Sequence, residues 1–385
     1  MQKNKEHLEM LGNDKHFLLN KKKPESMLLK DKLRAVDLFS GCGGISLGFS
    51  LAAQDLDYGF DVRLAADFDQ YALECFRDNF EPKLSFQDDV SSLFESGFSK
   101  QPLSDAEKKL KNEVGSVDVL LGGPPCQGHS DLNNYTRRSD PKNELMSVMV
   151  RAAYVFEPNA IVIENVVGAL NDKKGVVKAV QSSLEELGYQ VDIGIVDFSQ
   201  LGVPQSRKRM FLIANKGKKV CIDDISKQFY CPERTIEWAI QDLMGSDRTL
   251  LIDKVSGSQP QTKKRIDYLF DNGLHDLPNE QRPACHRDKK HSYNSVYGRL
   301  KWGEQCQTIT SGFYCMCMGR YVHPEERRTL TAHEAARLQF FPDFFDFSSA
   351  KTRTKLAQII GNAVPPKGAY AIARVLIPAI KRFNS

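Results

Sequence analysis

The chain has 385 residues, 41% apolar and 26% charged, which suits two or three globular domains with a real core and excludes a largely disordered polymer. A net charge of +4 permits an anionic partner without requiring one. No apolar run approaches the roughly 18 residues of a membrane span, the opening MQKNKEHLEMLGNDKHF lacks a secretory apolar stretch, and nine irregularly spaced cysteines suit free thiols better than a disulfide framework.

Residues 1–32 hold eight Lys against five Asp and Glu with no sustained apolar period. They read as a solvated basic leader, with a DNA-contacting arm as the alternative. From Leu33 the pattern becomes strand, glycine turn, helix: LRAVDLF stops at SGCGG, and ISLGFSLAA follows at helical spacing. VRLAAD (62–67), LSFQDDV (84–90), VDVLLGG (117–123) and AIVIENV (160–166) read as further strands, with a helix through YALECFRDNF. VVKAVQSSLEELG (176–188) is a helix with a glycine stop, and YQVDIGIVDF and RMFLIAN are two later strands. Strands alternating with helices predict an α/β fold with a doubly wound, mostly parallel sheet.

Beyond Asn215 the alternation breaks down. Residues 216–327 are turn-rich, with 18 Lys and Arg against 15 Asp and Glu and basic clusters at Lys263, Lys264, Arg265 and at Arg287, Lys289, Lys290. Such clusters are either a solvated face or a contact to nucleic acid. From Arg328 helical order returns, with a Thr331 cap signal and Glu334 three residues on, and then a Pro-initiated helix through GNAVPPKGAYAIARVLIPAI. The expected layout is a leader (1–32), an α/β domain (33–215), a variable basic insert (216–327) and a return to the α/β domain (328–385).

Ligands of open α/β sheets sit at the carboxyl ends of strands. The first strand ends in Phe39-Ser40-Gly41-Cys42-Gly43-Gly44, whose glycines either make a tight turn or bring backbone N–H groups to a ligand. The second ends at Asp67, where a carboxylate can accept ribose hydroxyls; the third at Asp89, where a side chain can take an adenine amine. Alone, each acid is as well a cap or a surface charge, but three such ends in order suggest an adenosyl pocket. The fourth ends in GGPPCQGHS, presenting Cys126 either as a nucleophile or as a buried structural thiol. The fifth ends in Glu164-Asn165-Val166, where a glutamate after a buried run is desolvated and biased toward its protonated form. In Gln205-Ser206-Arg207-Lys208-Arg209, alternate arginines on extended chain point to one face; an ordinary basic turn is the alternative.

Together these residues resemble the cytosine-5 DNA methyltransferases of bacterial modification type. DLFSGCGG (37–44), PPCQ (124–127), ENV (164–166), QSRKR (205–209), RTLTAHEAARLQFFP (328–342) and GNAVPP (361–366) follow the family's order from about Leu33 to Leu376. The resemblance implies a Rossmann-like methyltransferase sheet with a smaller irregular target-recognition domain, and S-adenosylmethionine as cofactor. It implies methylation of carbon 5 of a cytosine flipped out of double-stranded DNA. Cys126 would add to carbon 6, Glu164 would hold ring nitrogen 3 and the exocyclic amine, Arg209 the base carbonyl, and Arg207 would brace the nucleophile loop. The cofactor would lie against Phe39, Ser40, Gly41, Cys42, Gly43, Gly44, Asp67, Phe68, Asp89, Val90, Pro125, Leu145, Asn362, Ala363 and Val364. Residues 129–145 resemble the mobile loop closing over the flipped base, with a disordered surface loop as the alternative. DNA contacts are expected from Gln127, Ser130, Arg137, Arg138 and, in the insert, Thr308 and Ile309.

The Cys-Met-Cys of 315–317 places both sulfurs on one side of a strand, unlike structural zinc spacing, so no metal is expected. A monomeric, cytoplasmic bacterial enzyme meeting DNA at the nucleoid is the expected setting, with neither membrane nor metal. A tRNA methyltransferase is the nearest rival, but its Cys-Phe-Thr signature is absent. A non-catalytic DNA-binding homologue is disfavoured because Cys126, Glu164 and the cofactor glycines are all present.

Overall fold

The computed structural model describes residues 14–24, 29, 31–94, 100–125, 145–172, 175–288 and 296–380. The chain forms two compact units. The sheet unit comprises 24–201, 208–230 and 364–385; the insert unit comprises 1–23, 202–207 and 231–363.

Seven strands build the sheet unit: β1 (Lys32–Leu38), β2 (Gly59–Ala66), β3 (Leu84–Phe86), β4 (Val119–Gly122), β5 (Ala160–Val166), β6 (Gln190–Asp197) and, after a two-residue β7 (Gln205–Ser206) of the insert unit, β8 (Lys208–Asn215). Their order is β3-β2-β1-β4-β5-β8-β6. The first five pair in parallel, while β8 runs antiparallel to β5 and β6. Because helices cover the sheet, β4 and most of β5 are continuously buried, which is why they read as unbroken apolar runs. The mostly parallel α/β architecture expected from the sequence is present, and the bounds of β5 agree with the expected 160–166.

Helices Leu145–Phe156 and Val176–Glu186 supply Met149, Ala152, Val180 and Leu184 to the core around Val36, Leu120, Ile161 and Leu212. Helices Gly44–Asp55 and Pro366–Ala379 approach closely through Gly48, where a Cβ would lie 2.4 Å from the Pro366 carbonyl oxygen. Helix Asp105–Val114 begins with a capping box of Ser104 and Glu107. Glu107 also takes a bidentate, fully buried contact from Arg151, at 2.8 and 2.5 Å. The expected strand over 84–90 is cut to Leu84–Phe86, because the Asp89 carboxylate takes the Ser91 N–H and starts a 3₁₀ turn.

In the insert unit, residues 14–19 correct the expectation of a solvated leader. They form a short helix in which Leu18 is wholly buried, Phe17 stacks on Phe340 and Arg234 pairs with Asp14 at 2.5 Å. Six residues are too few to show a helical period, so no sequence pattern marked the segment. Helix Pro260–Asp271 carries exposed Lys263 and Lys264, while its Ile266 and Leu269 join Leu277, Tyr297, Met316 and Val322 in a small core. The capping box expected at Thr331 and Glu334 starts helix Ala332–Leu338. The return from 328 is shared: 328–363 cluster with the insert unit and 364–385 with the sheet unit. Arg328 grips Glu334 at 2.6 and 2.8 Å, and Arg337 reaches Asp343 and the Ala239 carbonyl, so polar contacts hold this stretch to the insert. Among the described residues no helix is long and apolar enough to cross a membrane.

Candidate active site

In the sheet unit, the end of β1 leads into residues 39–44 and adjoins Asp67. Phe39, Gly41 and Gly43 take φ of +56°, +54° and +95°, so the chain reverses sharply before helix Gly44–Asp55. Glycine allows this without steric cost, and at Gly43 a Cβ would sit 2.4 Å from the Phe80 ring. The Gly41 N–H donates to Asp67 Oδ2 at 2.7 Å and the Asp69 N–H to Oδ1 at 2.8 Å. Burial raises the Asp67 pKa, and these two N–H donors oppose the rise. Cys42 is 1% exposed and packs inward. Ser40 Oγ is buried with no hydrogen-bond partner among the described residues. Phe68, next to Asp67, is 75% exposed, an unusual state for a phenyl ring.

Of the remaining expected cofactor residues, Asp89 is exposed and caps its own turn, whereas Val90 is buried beneath it. Pro125 is exposed, Val364 buried, and Leu145 half-buried as the first residue of helix Leu145–Phe156. Sequence reasoning passed over Asp37. It is buried at the end of β1 and accepts the Ser46 hydroxyl at 2.6 Å, tying the strand to the helix across the glycine loop. Burial pushes its carboxyl up to about 7. An acid before the glycine run was visible in DLFSGCGG, but its partner nine residues on was not.

At the end of β5, Glu164 lies opposite Phe211 of β8, and Val166 opposite Arg209. Alternation along β8 puts Arg209 on the same face as Phe211, hence diagonal to Glu164. The outcome is an ion pair, Arg209 Nε to Glu164 Oε1 at 3.0 Å, with both side chains mostly buried. Behind it, Asn165 Nδ2 donates to the Pro124 carbonyl, binding this strand end to the start of the expected nucleophile loop. Cys126, Gln127, Ser130, Arg137 and Arg138 fall outside the described residues, as does most of the expected closing loop.

Arg207, read together with Arg209 from the sequence, has partners of its own. It belongs to the insert unit, is 3% exposed, and donates to the carbonyls of Ile309 and Ala363 at 3.2 and 3.0 Å. Two buried amides extend this strap. Gln205 accepts the Ile309 N–H and donates to Gln339, which in turn donates to the Ile360 and Ala363 carbonyls. Ile309, expected at DNA, is fully buried in this network, while Thr308 is half-exposed with its hydroxyl on the Ser206 carbonyl. Asn362 is exposed and Ala363 buried at the end of helix Arg353–Asn362. Among the described residues no three His, Cys, Asp or Glu side chains form a metal-holding group.

The family model described as C-5 cytosine-specific DNA methylase matches residues 33–378. Type II methyltransferase M1.BsuMI of Bacillus subtilis (strain 168) is 41% identical over 360 residues, 94% of this chain and 84% of that protein. Type II methyltransferase M1.HphI of Haemophilus parahaemolyticus is 30% identical, covering 90% of this chain and 87% of its own length. A solved DNA modification methyltransferase from an E. coli prophage superposes with TM-score 0.61 at 26% identity, covering 90% of this chain and 99% of that one. The S. pombe Dnmt2 methyltransferase, at 20% identity, TM-score 0.63 and the same coverage, shares the fold.

Proposed function

Because the chain belongs to the C-5 cytosine-specific DNA methylases, we propose that it methylates carbon 5 of a cytosine within a short double-stranded DNA sequence, as a modification methyltransferase. The observation that carries this reading is the Glu164–Arg209 pair at the end of β5, behind a PPCQ segment. Protonated Glu164 can donate to ring nitrogen 3 of a flipped cytosine and accept from its exocyclic amine, which disfavours thymine, whose ring nitrogen 3 already carries a proton. Arg209 steadies that carboxyl and has further guanidinium donors for a base carbonyl. Cys126 supplies the thiolate that adds to carbon 6, making carbon 5 nucleophilic, and departs once the carbon-5 proton is removed.

S-adenosylmethionine, when bound, supplies the methyl group. The residues present suit it. Exposed Phe68 offers a face for stacking, Asp67 keeps lone pairs for ribose hydroxyls, and buried Ser40 Oγ lacks a hydrogen-bond partner that a polar ligand would provide. The left-handed turns at Gly41 and Gly43 bring backbone close to such a ligand. Within the insert unit, Arg207, Gln205 and Gln339 hold the Thr308 segment in place, and half-exposed Thr308 is the proposed DNA contact of that pair.

The test is incubation of unmethylated plasmid with the protein and S-adenosylmethionine, mapped at single-base resolution. Methyl groups on cytosine carbon 5 within one recurring sequence are expected. An unmodified plasmid, with cofactor binding intact, would overturn the reading. The relatives at 30% identity or more named above are Type II methyltransferases by name and the matching family model is that of a DNA methylase, so a tRNA substrate is not favoured.

A further inference from the structure

Cys315 and Cys317 sit in a part of the insert unit that the methyl-transfer chemistry does not use. The sequence pattern expected a strand here, but Met316–Met318 is a 3₁₀ turn between Cys315 and Gly319. Met316 is 2% exposed and anchors the turn in the small core, while its carbonyl takes the Tyr297 N–H at 2.7 Å. The two flanking side chains therefore emerge together, with the sulfurs 2.9 Å apart. Cys315 is exposed and Cys317 partly so. Cys285, also exposed, lies within electrostatic range of Cys317 and of Tyr297, whose hydroxyl meets His286 Nδ1 at 2.7 Å.

A disulfide needs sulfurs about 2.0 Å apart, so closing the pair requires less than about 1 Å of movement on a turn already holding both side chains on one side. We propose that Cys315 and Cys317 form a reversible oxidation site in which Cys315 reacts with a hydroperoxide and Cys317 resolves the product. The Cys315 thiolate attacks the peroxide O–O bond, giving a sulfenic acid and releasing an alkoxide or hydroxide that takes up a proton. Cys317 then loses its proton and displaces hydroxide from the Cys315 sulfur, forming the S–S bond and water. The dithiol gives up two electrons and the peroxide accepts them.

The two cysteines are suited to different steps. The sulfur–sulfur contact lowers the Cys315 thiol pKa against the effect of burial. The same contact raises Cys317, keeping it a thiol until the sulfenic acid forms. The thiolate is the attacking form, so this contact favours Cys315 for the first step. The distinguishing gain is in the second step, where the resolving sulfur is already in contact.

The test uses the full chain treated briefly with hydrogen peroxide and then with dimedone, which captures sulfenic acid, before tryptic mass mapping. This readout does not depend on methylation, so failure here and failure of the proposed function are separable. In the wild type, the peptide spanning 302–320 is expected to lose two hydrogens, recover them with dithiothreitol, and carry little dimedone. Its third thiol, fully buried Cys306, stays reduced. C317S should carry at least about tenfold more dimedone on Cys315 and form no bridge, because the resolving thiol is gone. C315S should show neither product in this peptide. Equal dimedone labelling of wild type and C317S, or a bridge from either cysteine to Cys285 instead, would overturn the proposal.

Discussion

The Asp37→Asn substitution tests how the cofactor loop is framed. Asp37 is 1% exposed at the end of β1, and burial lifts its carboxyl to about 7, with the Ser46 hydrogen bond pulling it down and the Asp67 charge adding to the rise. In the unfolded chain the same carboxyl titrates near 3.9. Between these values the unfolded chain releases a proton that the folded chain keeps. The contribution of Asp37 to stability therefore falls as pH rises from about 4 to about 7 and is constant above that. Three pH units at about 1.36 kcal/mol each give a loss of roughly 4 kcal/mol across this window. Asparagine mimics the protonated acid, retains an oxygen for the Ser46 hydroxyl, and cannot ionise. Asp37→Asn should therefore match wild type near pH 4 and exceed it by about 4 kcal/mol at pH 8. Urea unfolding of both proteins across this range reads the difference directly. Groups such as His333, held up to about 9 between Asp253 and Asp343 despite burial, act equally in both proteins and cancel. Parallel profiles for the two proteins would refute the reasoning.

Other expectations concern the site and its scaffold. Phe68→Ala should leave thermal stability unchanged, since the ring is 75% exposed, yet weaken S-adenosylmethionine binding about tenfold by calorimetry through lost stacking; an unchanged Kd would remove Phe68 from the pocket. Glu164→Gln should lower kcat by at least about 100-fold while cofactor affinity stays within twofold, because an amide cannot pass a proton to ring nitrogen 3 and the group faces the base, not the cofactor. Near-normal turnover would count against Glu164 as the base-reading acid. Gly48→Ala places a Cβ 2.4 Å from the Pro366 oxygen and 2.5 Å from the Tyr370 nitrogen, so the two helices must part. Despite the better helix propensity of alanine, a net loss of about 1–3 kcal/mol is expected in thermal or urea unfolding, and an equal or higher Tm would show that the helices yield freely.

What the sequence determined by itself is what is encoded in contiguous residues. A strand buried on both faces needs an unbroken apolar run, so β5 could be bounded at 160 and 166 from AIVIENV alone. The cap at Thr331 and Glu334 needs only residues three apart, and two of the three left-handed positions in the loop after β1 announce themselves as glycines. Tertiary structure decided whatever depends on which distant segments meet. Arg207 and Arg209 look equivalent in QSRKR, yet one is held by Ile309 and Ala363 and the other by Glu164. Gln205 and Gln339, 134 positions apart, form one amide relay, and the Asp14–Leu19 helix packs on Phe340 and pairs with Arg234. Local steric and hydrophobic rules act over a few residues, whereas the partner of a buried polar group is chosen by the packed fold that excludes water around it.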